Sequence, residues 1–99
     1  MLYPYAEFPD ETNVTHSEII KDDKIPGGQK VLVNFEQPVD AVRGFNEARA
    51  VLPTYEWLNN DGFSQEQIKF FEKFMHSNAH LIFKYAAEGG MHLAKPFSV

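Results

Sequence analysis

The chain contains no cysteine, which excludes disulfide bonds, thiolate metal sites and cysteine nucleophiles together. The same absence fits a reducing compartment, and we expect a cytoplasmic protein. No apolar run approaches the ~18 residues that a membrane-spanning helix needs, so we expect a soluble chain with no membrane partner. Residues 1–5 also lack the basic region and following apolar run of a signal peptide.

Motifs that mark enzymes and cofactor sites are missing as well. The sequence has no Gly-x-Ser-x-Gly elbow and no His-Glu-x-x-His pair. The run from Pro26 to Lys30 is rich in glycine but lacks the spacing of a phosphate-binding loop, and it is interpreted as a turn. We therefore expect no cofactor, and the balance leans away from an enzyme.

Basic residues are scarce: nine Lys and Arg stand against 14 Asp and Glu, which leaves a net charge of −5. The excess is uneven, since residues 1–62 carry 11 acids and 5 bases, whereas residues 63–99 carry 3 acids and 4 bases. An acidic domain repels phosphate backbones, so no nucleic-acid partner is expected. Acidity that only maintains solubility is the simpler interpretation of the same excess.

What the sequence does contain is enough apolar material for a folded core, including nine Phe. Four segments predict strands: 2–8, 14–20, 30–36 and 45–52. Thr54 can cap a short helical turn over 55–60, which Asp61 and Gly62 would end. Successive strands with short connections favour an antiparallel meander, because parallel pairing needs long crossovers.

The strongest local signal is a helix start. Ser64 and Gln67 form the pattern of a capping box, and Phe63 can staple against Ile68. The helix should run from Gln65 to about Glu88, before a Gly-Gly pair. We thus predict one α+β domain over 1–99, with a sheet half (1–52), a helical half (53–90) whose helix packs on the sheet, and a tail (91–99).

Apolar residues cover about half the circumference of this helix, wider than a minimal core-facing stripe. Its length of roughly 36 Å also exceeds the roughly 20 Å of a six-residue strand. Either the helix breaks near Ser77 and Asn78, or part of the face is buried by another chain. A homodimer through helix 65–88 is the expectation, with Asn78 either bonded to nearby backbone or water, or setting the helix register.

Two aromatic residues, Tyr55 and Trp57, are candidates for a binding surface. They lie in a segment dense in aromatics between the sheet half and the long helix. Aromatic side chains in such a position either close the end of the core or form a binding hot spot.

Three further candidates lie on the polar side of the helix. His76 and His80 have the i, i+4 spacing of metal ligands, but lysines on the same face oppose a divalent ion, so we predict no metal site. Phe83 projects beside them and is expected to contact either a partner or the C-terminal tail.

Together these observations favour a non-enzymatic protein-binding or accessory domain that is itself a homodimer. The alternative is a small-ligand or enzymatic site in the groove between sheet and helix, using His16, strand carboxylates and Tyr55. A flat apolar patch would favour the first hypothesis, and a deep polar pocket the second.

Overall fold

The computed structural model describes residues 2–90, which form an antiparallel sheet and one helix. The elements are β1 (Tyr3–Glu7), β2 (Asn13–His16), β3 (Ile20–Lys21), β4 (Gln29–Pro38), β5 (Phe45–Leu52), β6 (Glu56–Asp61) and α1 (Gln65–Ala87). The strand order is β1-β2-β4-β5-β6, and the short β3 pairs with β4. The predicted α+β class is therefore confirmed, with more strands than the sequence indicated.

The second predicted strand, 14–20, is divided in the structure. It ends at His16 and resumes as β3 at Ile20, because Ser17 changes the pairing with β4. The hydroxyl of Ser17 accepts a hydrogen bond from the Leu32 N–H at 2.9 Å, while the Ser17 N–H donates to the Leu32 carbonyl at 2.9 Å. A side-chain oxygen thus replaces a backbone acceptor, which interrupts the regular ladder.

The helical turn predicted over 55–60 is wrong, since residues 56–61 form β6 and pair with β5. Thr54 does not cap a helix; its hydroxyl accepts the Glu56 N–H at 3.4 Å within the connection between the strands. A single helical turn forms few hydrogen bonds, whereas a strand gains a ladder along β5. Pairing also places Trp57 5.8 Å, ring centre to ring centre, from Phe35.

The junction between β6 and α1 depends on Asn60 and Gly62. The Asn60 side chain bonds both backbone groups of Phe63, accepting its N–H and donating to its carbonyl, each at 3.0 Å. Gly62 has a φ of 109°, and a Cβ there would overlap the side chain of Asn46. Glycine at this position therefore lets the chain turn from sheet to helix without displacing the Asn46 side chain.

Helix α1 begins as the sequence predicts. The Ser64 hydroxyl accepts the Gln67 N–H at 3.1 Å, and the Gln67 side chain accepts the Ser64 N–H at 2.9 Å, which completes a capping box. The helix runs without a break through Ser77 and Asn78. Within residues 2–90, the structure contains no helix with both the length and the hydrophobicity of a membrane-spanning segment.

The core lies between α1 and one face of the sheet. Its fully buried members include Val14 of β2, alternate along β4 and β5, and recur along the helix: Val14, Val31, Val33, Phe35, Ala48, Ala50, Leu52, Phe71, Met75 and Ile82. Phe35 and Phe71 stack with ring centres 4.2 Å apart, so the middle of the sheet is tied directly to the helix. The register of β4 and β5 is fixed because a slip by one residue would turn this set to the other face.

Aromatic residues of β1 and of the position just after it cover one flank of the helix. Phe8 lies 4.9 Å from Phe74, and the hydroxyl of Tyr5 donates to the Asn78 side chain at 2.7 Å. Burial, followed by the neighbouring Tyr85, raises the pKa of Tyr5. The Asn78 amide also donates to the Phe74 carbonyl at 2.8 Å, so both of its polar ends are satisfied within the chain.

Both edges of the sheet are irregular. In β1, a register shift between Pro4 and Ala6 inserts an extra residue, and Pro4 itself has no N–H to offer. In β6, a shift opposite Arg49 and Ala50 leaves Leu58 as an extra residue. Bulges of this kind bend an edge strand and disrupt the row of groups with which another strand would pair.

Candidate functional site

Three of the five predicted site residues meet at the corner between β6 and α1. The rings of Tyr55 and His76 stack with their centres 3.8 Å apart and their planes 13° from parallel. Beside them, the indole N–H of Trp57 donates to a carboxylate oxygen of Glu72 at 2.9 Å. We name Tyr55, Trp57, Glu72 and His76 the aromatic corner; it fastens the edge of the sheet to the helix.

Tyr55 adopts a left-handed backbone conformation, with a φ of 63°. This region is unfavourable for a residue with a Cβ, so the surrounding contacts must compensate. Its N–H donates to the Val51 carbonyl at 2.7 Å, and its ring stacks on His76. Tyr55 is half-buried while His76 is exposed, so only the outer side of this stack faces solvent.

The other two predicted residues lie further along the helix. His80 is exposed one turn beyond His76, whereas Phe83 is half-buried and packs against the core rather than standing free on the polar face. The tail that Phe83 was expected to contact lies outside the described residues. Within residues 2–90, no three His, Asp or Glu side chains are grouped in a way that could hold a metal ion.

His16, proposed for a groove site, is enclosed on the β1 side of the core, between Tyr3 (5.6 Å) and Tyr5 (6.2 Å). Its Nδ1 lies 2.8 Å from the Ser17 carbonyl and donates to it, because a carbonyl only accepts. Its Nε2 is buried and has no partner among the described residues.

The structure does not bring His16 and Tyr55 together. Tyr55 belongs to the aromatic corner beside β6, whereas His16 packs against the tyrosines of β1, at the other edge of the sheet. Residues 2–90 enclose no pocket between sheet and helix.

A surface that the sequence analysis did not identify lies at the β4–β5 hairpin. Six large apolar side chains are exposed in the part of the chain the structure describes, and three of them fall within residues 39–45. Val42 is 95% exposed, Phe45 57% and Val39 39%. We call these three residues the hairpin patch.

The tip of this hairpin is held by its own hydrogen bonds. One carboxylate oxygen of Asp40 accepts the N–H groups of Val42 (2.9 Å) and Arg43 (2.7 Å). The Gly44 N–H donates to the Asp40 carbonyl, and the Val39 N–H donates to the Gly44 carbonyl, both at 2.8 Å. The Arg43 N–H, more than any other contact, holds the pKa of Asp40 below its ordinary value of 3.8. The patch is thus presented by a defined turn.

Three carboxylates lie side by side across the sheet next to this patch. Glu36 pairs with Glu47, and Glu47 pairs with Asp61, so these directly opposite side chains share the face turned away from the helix. Phe45 lies on the same face, two residues before Glu47. We call Glu36, Glu47 and Asp61 the acid row.

Part of the signal for the hairpin patch was present in the sequence, between the predicted strands 30–36 and 45–52. Residues 38–44 include Val39, Ala41 and Val42 although no strand or helix period continues through them. Val39 and Val42 are exposed in the structure, so apolar residues in a segment without a strand or helix period were the available signal.

Comparisons of the chain with protein-family models, with curated proteins and with solved structures found no match. The functional argument therefore depends on the surfaces just described.

Proposed function

We propose that this chain is a non-enzymatic, protein-binding accessory domain that binds through the β4–β5 hairpin. The observation that carries the proposal is Val42, which is 95% exposed at the tip of an ordered turn. Leaving an apolar side chain in water costs free energy that a partner's pocket would recover. Because the Asp40 bonds already fix the turn, little conformational entropy would be lost on binding.

The hairpin patch is preferred to the five residues predicted from the sequence. Tyr55, Trp57 and Phe83 are half-buried and packed against the chain's own helix or core. They stay proposed as a second contact, together with the exposed His76 and His80. A small-ligand or enzymatic site in the groove stays the alternative, but it has less support because His16 and Tyr55 lie apart.

Self-association through α1 is a second proposal, and Phe70 is the observation that favours it. Phe70 contacts Phe8 at 5.3 Å yet remains 53% exposed. It leads the edge of the helix that also carries Phe74, Leu81 and Tyr85, all half-buried. The opposite edge, with Met75 and Ile82, is buried on the sheet.

We further propose a cytoplasmic location, supported by the cysteine-free composition.

Site-specific photo-crosslinking in the native cell tests the binding function. A photoreactive residue replaces Val42 in one variant and the exposed Lys24, in the loop before β4, in a control variant. We expect discrete protein adducts from position 42 that are absent from position 24 and that disappear when Phe45→Ser is added. Identical adducts from both positions, or none from position 42, would contradict the proposal.

A further inference from the structure

Resting on the proposed function, we infer that the partner is a protein with a basic surface: an apolar pocket for the hairpin patch, bordered by lysine or arginine side chains that face the acid row. The argument combines two features that meet on one face of β5: the exposed Phe45 of the hairpin patch and the carboxylates of the acid row.

The carboxylates of the acid row oppose one another directly. Like charges in such cross-strand positions destabilise a sheet. Glu36 accepts a hydrogen bond from the Asn34 amide at 2.8 Å, which is a neutral donor. Among residues 2–90, the ion pair within 4 Å joins Lys30 of β4 to Asp22 in the loop before it. No cation of the described residues therefore pairs with the acid row.

The two arginines of the region bind amides instead. Arg49, two residues from Glu47 on the same face, donates to the Asn34 side chain at 3.3 Å. Arg43, in the hairpin tip, donates to the Asn46 side chain at 3.0 Å. The negative charge of the row therefore remains available to a cation supplied by another molecule.

Position on the sheet joins the charge to the apolar patch. Phe45 and Glu47 are neighbours on one face of β5, so a partner that covers Phe45 also reaches the row. Anionic membranes and nucleic acids would be repelled by the same charge. A protein surface with an apolar centre and a basic border satisfies both features at once.

The test uses the full chain labelled with ¹⁵N and two synthetic amphipathic peptides with the same leucine pattern, one carrying lysines and the other glutamates. We expect the lysine peptide to shift the amide signals of residues 36–47 and 61, and the glutamate peptide to leave them unchanged. The double variant Glu47→Gln/Asp61→Asn should weaken binding by about fivefold. The control Asp23→Asn, in an exposed loop, should change it by less than about twofold.

Four outcomes would overturn the inference. Equal binding of both peptides, or the same loss for Asp23→Asn as for the double variant, would show that the row does not select a basic partner. If the lysine peptide shifts no amide signals, the inferred preference for a basic partner is rejected. The crosslinks from position 42 test the protein-binding function independently of this result. Binding to phosphatidylcholine vesicles that is lost in Val42→Ser would assign the patch to a membrane surface instead.

Discussion

At the scale of single residues, Ser64 sets where the long helix begins. Its hydroxyl satisfies one of the helix's first free N–H groups, and Gln67 returns a bond to its backbone. We expect Ser64→Ala to lower the free energy of unfolding by about 1 kcal/mol. Chemical denaturation measures this, with Ser77→Ala, on the exposed side of the same helix, as the control. An unchanged midpoint for Ser64→Ala would mean that the cap contributes nothing in solution.

Glu11 offers the opposite kind of substitution. It is exposed in the β1–β2 connection with a φ of 70°, a conformation that costs a residue with a Cβ roughly 1 kcal/mol. We expect Glu11→Gly to raise the free energy of unfolding by up to about 1 kcal/mol, less the added freedom of the unfolded chain. Glu11→Ala keeps the Cβ and should bring little change. A Gly variant no more stable than the Ala variant would argue against the left-handed conformation.

Tyr55 has a similar φ of 63° but leads to a different expectation, because its side chain stacks on His76. Replacing Tyr55 by glycine would relieve the backbone but remove the ring that stacks on His76. Sequence patterns do not reveal this difference. A residue other than glycine in the left-handed conformation leaves no local pattern in the sequence. The turn at Tyr55 that precedes β6 therefore could not be recognised, and its segment was predicted to be helical.

At the scale of elements, the β4–β5 hairpin should respond to acid through Asp40. Its pKa is lowered in the folded chain, so its contribution to stability is present above its ordinary value of 3.8 and is lost as pH falls through the lower, folded value. NMR between about pH 5 and about pH 2 should show the Val42 and Arg43 amides shifting together with the Asp40 carboxyl.

Asp40→Asn is the matched control for that titration. Its amide oxygen can still accept both N–H bonds, so the turn should persist without a pH-dependent step. If the Val42 and Arg43 amides of the wild type titrate above pH 3.8, the bonds to Asp40 do not stabilise the charged form.

How far the elements could be predicted depended on whether their signals were local. The capping box and the apolar period placed α1, and alternation placed β4, because each pattern is complete within its own segment. The strand 56–61 follows a turn with no glycine at its left-handed position, and it is stabilised by β5 and by Trp57 on Phe35, contacts distant in sequence. The acid row is spread over three strands and became visible only once their register was known.

At the scale of the whole molecule, the helix proved better covered than its length suggested. The sheet is wider than the predicted four strands, and Tyr5 and Phe8 flank the helix on one side while the aromatic corner flanks it on the other. The apolar surplus that motivated a dimer is thereby reduced mainly to Phe70 and its half-buried neighbours. Met75 is fully buried in the core, so a substitution at this position would not test association through the helix surface.

Phe70→Glu is therefore the variant that tests the proposed helix dimer. We expect sedimentation equilibrium to show a dimer for the wild type and a folded monomer for Phe70→Glu, since a charge on that edge would have to be desolvated in the interface. Gln65→Glu changes the charge equally at the start of the helix and should remain dimeric. A wild type that stays monomeric at high micromolar concentration would reject the dimer and leave the hairpin as the proposed contact.

The irregular edges of the sheet have a consequence for how the molecule behaves in a crowded cell. Where sheet edges are regular, newly made copies at high local concentration can pair edge to edge and assemble into fibres. Pro4 and the bulge beside it spoil one edge as a template, and the extra residue at Leu58 spoils the other. Backbone hydrogen bonding between the edges of two copies is thereby disfavoured. Contacts between copies then depend on side chains, whose charge and shape can discriminate one neighbour from another.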